Sequence, residues 1–121
     1  RMSLAEVAKL TFYAPDYEAF PALNLAKHAA SRKGDRGAVL NGANEAAVGL
    51  FLNGKIGFTD IAERVAYALD TIPYKKDITL DDVLAADKAA HARSCSADRK
   101  ELRFAANHSG NPRLRCAGHR A

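Results

Sequence analysis

Apolar residues recur at helical spacing in four stretches of the chain, and residues that favour helix ends flank each stretch. Pro21 suits a first helical turn and Gly34 suits a position just past a helix end, so the apolar face between them predicts a first helix over about residues 20–32. The third helix, about residues 60–71, has the strongest pattern, after Thr59 as N-cap. Its apolar positions are Ile61, Ala62, Val65, Ala68, Leu69 and Ile72.

The second and fourth helices are predicted from shorter apolar faces. Residues 43–53 carry Ala47, Leu50 and Phe51 at helical spacing, and Asn53-Gly54 predicts a left-handed end. A fourth helix over about residues 80–90 begins at Thr79 with Asp82 three positions later, and a helical extension through about residue 104 is compatible with the sequence.

Four short amphipathic helices with short connections predict an all-α fold, a small helical bundle in which each apolar stripe is buried against the others. Residues 1–19 form a connector, with a helical turn near residues 3–8 and extended, strand-like backbone near residues 11–13. The bundle occupies residues 20–90, with a surface loop at residues 31–37. Residues 91–121 are a basic tail that we expect to be disordered or non-native beyond any helical extension.

Composition fits one soluble domain of 121 residues, with 48% hydrophobic and 26% charged side chains. No apolar run is long enough to span a bilayer and none resembles a signal peptide, which favours a cytoplasmic protein with two free thiols.

The net charge of +4 is concentrated in the tail. Residues 1–90 hold 11 Lys and Arg against 12 Asp and Glu, whereas residues 91–121 hold 7 against 2. These tail cations can contact phosphates, but Phe104 is the only aromatic residue among them and no recognition helix is evident. A solvated tail is therefore favoured over a nucleic-acid partner.

The stretch AVLNGANEAAVGLFLNGKIGF, residues 38–58, contains the polar residues Asn41, Asn44 and Glu45 ahead of an apolar run. Asparagine at a helix start accepts backbone N–H bonds, and glutamate in a first turn meets the positive end of the helix dipole. One carboxylate with two amides supplies no acid–base pair or nucleophile. We therefore interpret these residues as a structural turn that starts the second helix, and we assign no catalytic residue.

Two Cys/His pairs lie in the tail, His91 with Cys95 and Cys116 with His119. Their spacings are compatible with zinc, but there is no Cys-x-x-Cys and few apolar residues lie between the pairs, so the sequence favours no metal site. His28 in the first helix is interpreted as a surface residue. The chain also lacks GxGxxG, Walker, HExxH and GxSxG motifs.

Several segments nevertheless resemble, in one order, the C-terminal part of 1-deoxy-D-xylulose 5-phosphate reductoisomerases, over about residues 4–90. The most specific is Leu40-Asn41-Gly42-Ala43-Asn44-Glu45, with glycine at a position where alanine is expected. The others are Leu10-Thr11-Phe12, Pro15-Asp16, Phe20-Pro21-Ala22-Leu23, Phe51-Leu52, Phe58-Thr59-Asp60-Ile61-Ala62 and Asp81-Asp82-Val83-Leu84.

The resemblance implies an enzyme of non-mevalonate isoprenoid biosynthesis that rearranges and reduces a sugar phosphate with NADPH and Mg²⁺ or Mn²⁺. It also implies that this chain holds only the connector and the C-terminal bundle, because the nucleotide-binding and central catalytic domains have no counterpart in it. No catalytic, cofactor-binding or metal-binding residue can be carried over, and residues 38–48 are expected to brace the catalytic region. The expected partners are those missing domains and, through exposed apolar surface, further copies of the chain. The alternative is a standalone helical interaction module whose basic tail binds an anion.

Overall fold

Four helices dominate the computed structural model, which describes residues 5, 9–98 and 100–102. They are α1, Pro21–Arg32; α2, Arg36–Leu52; α3, Phe58–Thr71; and α4, Leu80–Ser96. No strand occurs among the described residues, so the predicted all-α bundle is confirmed and the strand-like connector is not. None of the described helices is long and apolar enough to cross a membrane.

Helix α2 lies at the centre of the bundle and packs against each of the other three helices, most extensively against α4. Its apolar residues extend around most of the helix, as expected for an element with neighbours on several sides. Val39 is fully buried, and burying such a side chain stabilises the fold by about 1.5–3 kcal/mol. The core consists of Leu25, Val39, Ala43, Val65, Ala68 and Ala90.

The start of α2 corrects the sequence analysis. The helix begins at Arg36, not near residue 43, so the predicted turn at Asn41, Asn44 and Glu45 is wrong. Asparagine is frequent at helix starts, and for that reason the sequence places the beginning of the helix at Asn41 and Asn44. Tertiary packing reverses that preference, because Val39, Gly42 and Ala43 are all buried against the neighbouring helices.

The loop between α2 and α3 confirms one predicted helix end and corrects another. Gly54 has a φ of 69°, and its N–H donates to the Phe51 carbonyl at 2.9 Å, as expected for a left-handed helix end. The N-cap of α3 is Gly57 rather than Thr59. The Gly57 N–H donates to an Asp60 carboxylate oxygen at 2.9 Å, which places Thr59 inside the first turn.

The start of α4 has the predicted capping pair. The Thr79 hydroxyl accepts from the Asp82 N–H at 3.3 Å, and the Asp82 carboxylate accepts from the Thr79 N–H at 2.9 Å. Lys75 Nζ also donates to Asp82 at 2.6 Å. The hydrogen bond from the Lys75 side chain is the main cause that lowers the pKa of Asp82 to about 2, followed by its bonds to Thr79.

These contacts predict that ionised Asp82 stabilises the fold in a pH-dependent way. Since folding lowers the pKa of this carboxyl group, its stabilising effect is complete above the unfolded value near 3.8 and is lost as the pH falls through about 2. Asp82→Asn should therefore unfold more easily than the unsubstituted chain at neutral pH. Unfolding followed by circular dichroism from pH 7 to 2 should show the two curves converging at the acid end.

The matched control is Asp81→Asn, which removes a carboxylate from the same first turn without removing the capping bonds. A difference between Asp82→Asn and the unsubstituted chain that stays constant down to pH 2 would contradict the assignment.

The chain beyond Ala90 continues to pack on the bundle. Helix α4 runs to Ser96, which confirms a helical extension past residue 90, and Ser94 is fully buried. Ala97 and Leu102 then form a second apolar cluster with Tyr67 of α3. The predicted helical turn near residues 3–8 and the predicted disorder at residues 103–121 lie outside the described residues, except that Ala5 is helical.

Candidate docking surface

One side of α2 is exposed and carries the polar residues that the sequence singled out. Asn41, Asn44 and Glu45 all face outward, and Asn41 Nδ2 donates to Glu45 Oε1 at 3.2 Å. At 100° per residue, half-buried Val48 and exposed Leu52 lie on the same side of the helix. We call these five residues the α2 stripe.

The α2 stripe changes from polar to apolar along its length. At its apolar end, Leu52 is 76% exposed and Phe58, the first residue of α3, is 69% exposed. Phe58 packs edge-on against Phe51, with ring centroids 5.8 Å apart, so its ring is fixed in place although solvent reaches it. An exposed aromatic ring that is held by a packing partner is typical of a surface that contacts another protein.

Further large apolar side chains are exposed elsewhere on the chain. They occur in the connector, at the start of α1 and at the start of α4. They are Leu10, Phe12, Tyr13, Phe20, Leu23, Leu80 and Leu84. Single exposed apolar residues are ordinary on protein surfaces, whereas several on so small a bundle are typical of a surface that contacts another chain.

The polar side chains of the α2 stripe are suited to hydrogen bonding with a partner. Asn41 and Asn44 can each donate and accept hydrogen bonds, and Glu45 is a single carboxylate. Among the described residues, no nucleophile or second acid–base group forms a hydrogen bond with these side chains. The arrangement suits positioning of a partner's polar groups better than proton transfer.

A buried ion pair fixes the N-terminal end of α2, and the sequence analysis missed it by assigning residues 31–37 to a surface loop. Asp35 and Arg36 are 4% and 5% exposed, and Arg36 Nε donates to Asp35 at 3.0 Å. The guanidinium also donates to the carbonyls at the end of α3. These acceptors are Leu69 at 2.8 Å, Ile72 at 3.0 Å and Pro73 at 2.9 Å.

Two hydrogen bonds between Asp35 and the Lys75 backbone extend this arrangement to the loop before α4. The Asp35 carboxylate accepts from the Lys75 N–H at 3.1 Å, while the Asp35 N–H donates to the Lys75 carbonyl at 3.0 Å. Arg36 also lies over the Tyr74 ring, 5.4 Å from its centroid. We call Asp35, Arg36, Tyr74 and Lys75 the corner cluster; it holds the start of α2, and hence the α2 stripe, against the end of α3 and the loop before α4.

The remaining sequence candidates do not assemble into a catalytic site. His28 is exposed on α1, and His91 is exposed on α4 with Nδ1 3.9 Å from Sγ of Cys95. Cys116 and His119 lie outside the described residues, as do most of the tail arginines. Arg93 and Lys100 lie within them and are exposed.

The described residues do not fit the metal and nucleotide that the resemblance implies for the whole enzyme. Between residues 9 and 102, residue 99 apart, no three His, Cys, Asp or Glu side chains come together as a metal site. A dinucleotide-binding fold holds its ligand at a glycine-rich turn between a strand and a helix. The same residues form no strand and so do not provide this unit. We therefore derive no reaction step through either group.

Comparisons with known proteins match most of the chain to one family. The sequence family described as the DXP reductoisomerase C-terminal domain matches residues 1–93. The chain is 47% identical over 89 residues to the 1-deoxy-D-xylulose 5-phosphate reductoisomerase of Nitrosomonas eutropha, covering 74% of this chain and 22% of that protein. It is also 47% identical over 98 residues to that of Burkholderia multivorans, covering 81% and 24%.

Among solved structures, the fold is similar to 1-deoxy-D-xylulose 5-phosphate reductoisomerase from Zymomonas mobilis in complex with NADPH. The TM-score is 0.72 and the identity 42%, over 78% of this chain and 25% of that one. The chain thus spans about a quarter of the length of the relatives that it matches.

Proposed function

The chain belongs to the family of DXP reductoisomerase C-terminal domains, and on that premise we propose that it supports the catalytic part of a 1-deoxy-D-xylulose 5-phosphate reductoisomerase. The complete enzyme would rearrange and reduce this sugar phosphate with NADPH and Mg²⁺ or Mn²⁺ in isoprenoid biosynthesis. The observation that carries the proposal is the family match, which covers the connector and nearly all of the four-helix bundle.

We assign the supporting role to the α2 stripe. Its amides and its carboxylate are exposed on a helix whose other side is buried, so the backbone that carries them is fixed when they contact a neighbouring catalytic domain. The corner cluster makes this surface rigid, since Arg36 joins the first turn of α2 to the end of α3. The catalytic, nucleotide-binding and metal-binding residues would then belong to the partner domains.

The same proposal accounts for the exposed apolar residues. Phe58 and Leu52 would be covered by the missing domains or by a second copy of the chain, and burying such side chains favours association. We place the assembled enzyme in the cytoplasm. A standalone anion-binding module is not favoured, because the family match accounts for the bundle and most of the tail cations lie beyond it.

A chimaera tests the proposal directly. Residues 1–93 of this chain would replace the matching C-terminal region of the Zymomonas mobilis enzyme, and NADPH oxidation would be measured with the sugar phosphate and Mg²⁺ or Mn²⁺. We expect turnover by the chimaera and none by the 121-residue chain alone. The double substitution Asn44→Ala with Glu45→Ala should lower turnover in the chimaera while leaving the helical content of the isolated chain unchanged.

Two outcomes would contradict the proposal. Robust turnover by the isolated chain would show that it contains the reaction machinery. A folded chimaera without activity would show that this bundle does not support the catalytic domain.

A further inference from the structure

Two loops meet at one corner of the bundle and bring three exposed cations together. The loop between α1 and α2 contacts the loop before α4 through its backbone, since the Asp35 N–H donates to the Lys75 carbonyl at 3.0 Å. Arg32 is the last residue of α1, Lys33 follows it, and Lys76 lies in the loop before α4. All three are exposed, and we call them the basic patch.

Contacts with neighbouring residues show that the members of the basic patch lie close together. The Tyr74 hydroxyl donates to the Arg32 carbonyl at 2.8 Å, and the Arg32 guanidinium lies 5.7 Å from the Tyr74 ring centroid. A Cβ atom on Gly34, next to Lys33, would lie 3.0 Å from the Lys76 Cα atom. None of the three cations forms a salt bridge with a described residue, so the patch presents three charges to a partner.

Lys33 occupies a backbone conformation that does not suit a lysine. Its φ of 59° and ψ of −149° lie in a region that residues other than glycine rarely adopt. Gly34, with a φ of 56°, lies so close to the Lys75 backbone that the loop is held in this shape. Because glycine would fit residue 33 with less strain, the local conformation does not explain the lysine, and its exposed charge remains available for binding.

The surroundings of the basic patch favour one kind of anionic partner. Asp77 and Asp81 are exposed and follow Lys76 along the chain, so the patch is small and carboxylates lie beside it. A nucleic acid or an anionic lipid surface carries negative charge over a wide area, which these carboxylates would repel. A short acidic peptide segment can contact the three cations alone. Arginine binds carboxylates through paired N–H bonds, and arginine and tyrosine are enriched in protein interfaces.

We propose that the basic patch is an interaction surface for a short acidic segment of a partner protein, whose carboxylates pair with Arg32, Lys33 and Lys76. The proposal does not rest on the supporting role of the α2 stripe, because the patch and the stripe share no residue. Exposed ion pairs are screened by salt, so the interaction should weaken as the ionic strength rises.

Nuclear magnetic resonance of the isotope-labelled 121-residue chain, titrated with the peptide hexaglutamate, tests the proposal. We expect saturable shifts of the backbone amide signals of the patch and of Tyr74, and these shifts should be smaller at higher salt. Each signal reports its own position, so peptide bound to the basic tail does not obscure the result. The triple variant Arg32→Gln, Lys33→Gly and Lys76→Gln should weaken binding, followed at the Tyr74 signal, by about 3-fold or more. One exposed ion pair contributes about 1.4-fold to 5-fold.

The single variant Lys33→Gly separates the charge from the backbone conformation. Glycine relieves the unfavourable φ and ψ at residue 33, so the urea concentration at the midpoint of unfolding should rise. The same variant should bind hexaglutamate about 1.4-fold to 5-fold more weakly, since it loses one of the three cations. A variant that gains stability and loses affinity has not lost binding through unfolding.

The matched control replaces three exposed cations outside the patch, Lys55→Gln, Lys88→Gln and Arg93→Gln, and so changes the net charge by the same amount. It should leave the Tyr74 shift and its midpoint unchanged. The proposal would be overturned if the patch signals showed no saturable shift, or if the control weakened binding as much as the triple variant does. Tighter binding of hexathymidylate than of hexaglutamate at the same signals and salt would also overturn it, in favour of a nucleic acid.

Discussion

Arg36→Ala is expected to lower the free energy of unfolding by about 3–5 kcal/mol, the range measured when one partner of a buried ion pair is removed. The substitution leaves the buried Asp35 carboxylate without its cation and removes a donor from the Leu69, Ile72 and Pro73 carbonyls. Urea and thermal unfolding followed by circular dichroism would measure the loss. For a domain of this size it corresponds to a fall in Tm of at least about 10 °C.

Two further variants separate the buried contacts from general effects of charge. Arg32→Ala removes an exposed cation that lies over the same Tyr74 ring, 5.7 Å from its centroid. This substitution should lower the free energy of unfolding by less than about 1 kcal/mol. Arg36→Lys keeps the charge but cannot reach Asp35 and several carbonyls at once, so its effect should be intermediate. If Arg36→Ala cost no more than Arg32→Ala, the corner cluster would not hold the two helices together.

The corner cluster also shows where sequence reasoning reaches its limit. Arg36 donates to carbonyls 33 to 37 residues further along the chain, and no local pattern indicates such a contact. A charged, glycine-containing segment between two helices has the composition of a surface loop whether or not its middle is buried. Only the packing of α2 against α3 reveals that Asp35 and Arg36 are inside.

Helices α1, α3 and α4 were predictable because local signals and tertiary packing agree in them. The apolar face of α3 is the face that it buries, and Thr79 with Asp82 begins α4 as the spacing indicated. In α2 the two kinds of signal disagree. Asn41 and Asn44 favour a helix start, but the burial of Val39, Gly42 and Ala43 keeps the helix continuous through them. The missing side chain of Gly42 also allows α4 to approach closely.

The sequence predicted only part of the candidate docking surface. The sequence drew attention to Asn41, Asn44 and Glu45, and the resemblance assigned them a bracing role, which stays a proposal. What the sequence analysis missed is that they share one helix face with Val48 and Leu52, since the turn assigned to them broke the periodicity at that point. Recognising the family needed only the order of several short segments, because those segments do not have to be folded correctly to be matched.

Gly42→Ala is expected to destabilise the bundle by about 1–3 kcal/mol, the usual cost of adding a methyl group to a tightly packed interior. A Cβ atom at residue 42 would lie 2.5 Å from the Asp87 backbone oxygen and 2.8 Å from Asp87 Oδ1. The carboxylate can rotate away, but the backbone oxygen moves only if α4 moves. This cost should outweigh the gain of about 1 kcal/mol that alanine normally brings to a helix interior.

The same helix supplies two matched controls for Gly42. At Gly37 and Gly49 an added Cβ meets nothing within 4 Å, so alanine at either position should stabilise the bundle by up to about 1 kcal/mol. The sign of the effect therefore distinguishes the three glycines in one series of unfolding measurements. The resemblance leads us to expect alanine at residue 42 in related enzymes. The result therefore also tests whether the fold requires α2 and α4 to lie this close together. If Gly42→Ala stabilised the protein as its controls do, α2 and α4 would be able to move apart. Their close approach would then be a consequence of this glycine and not a requirement of the fold.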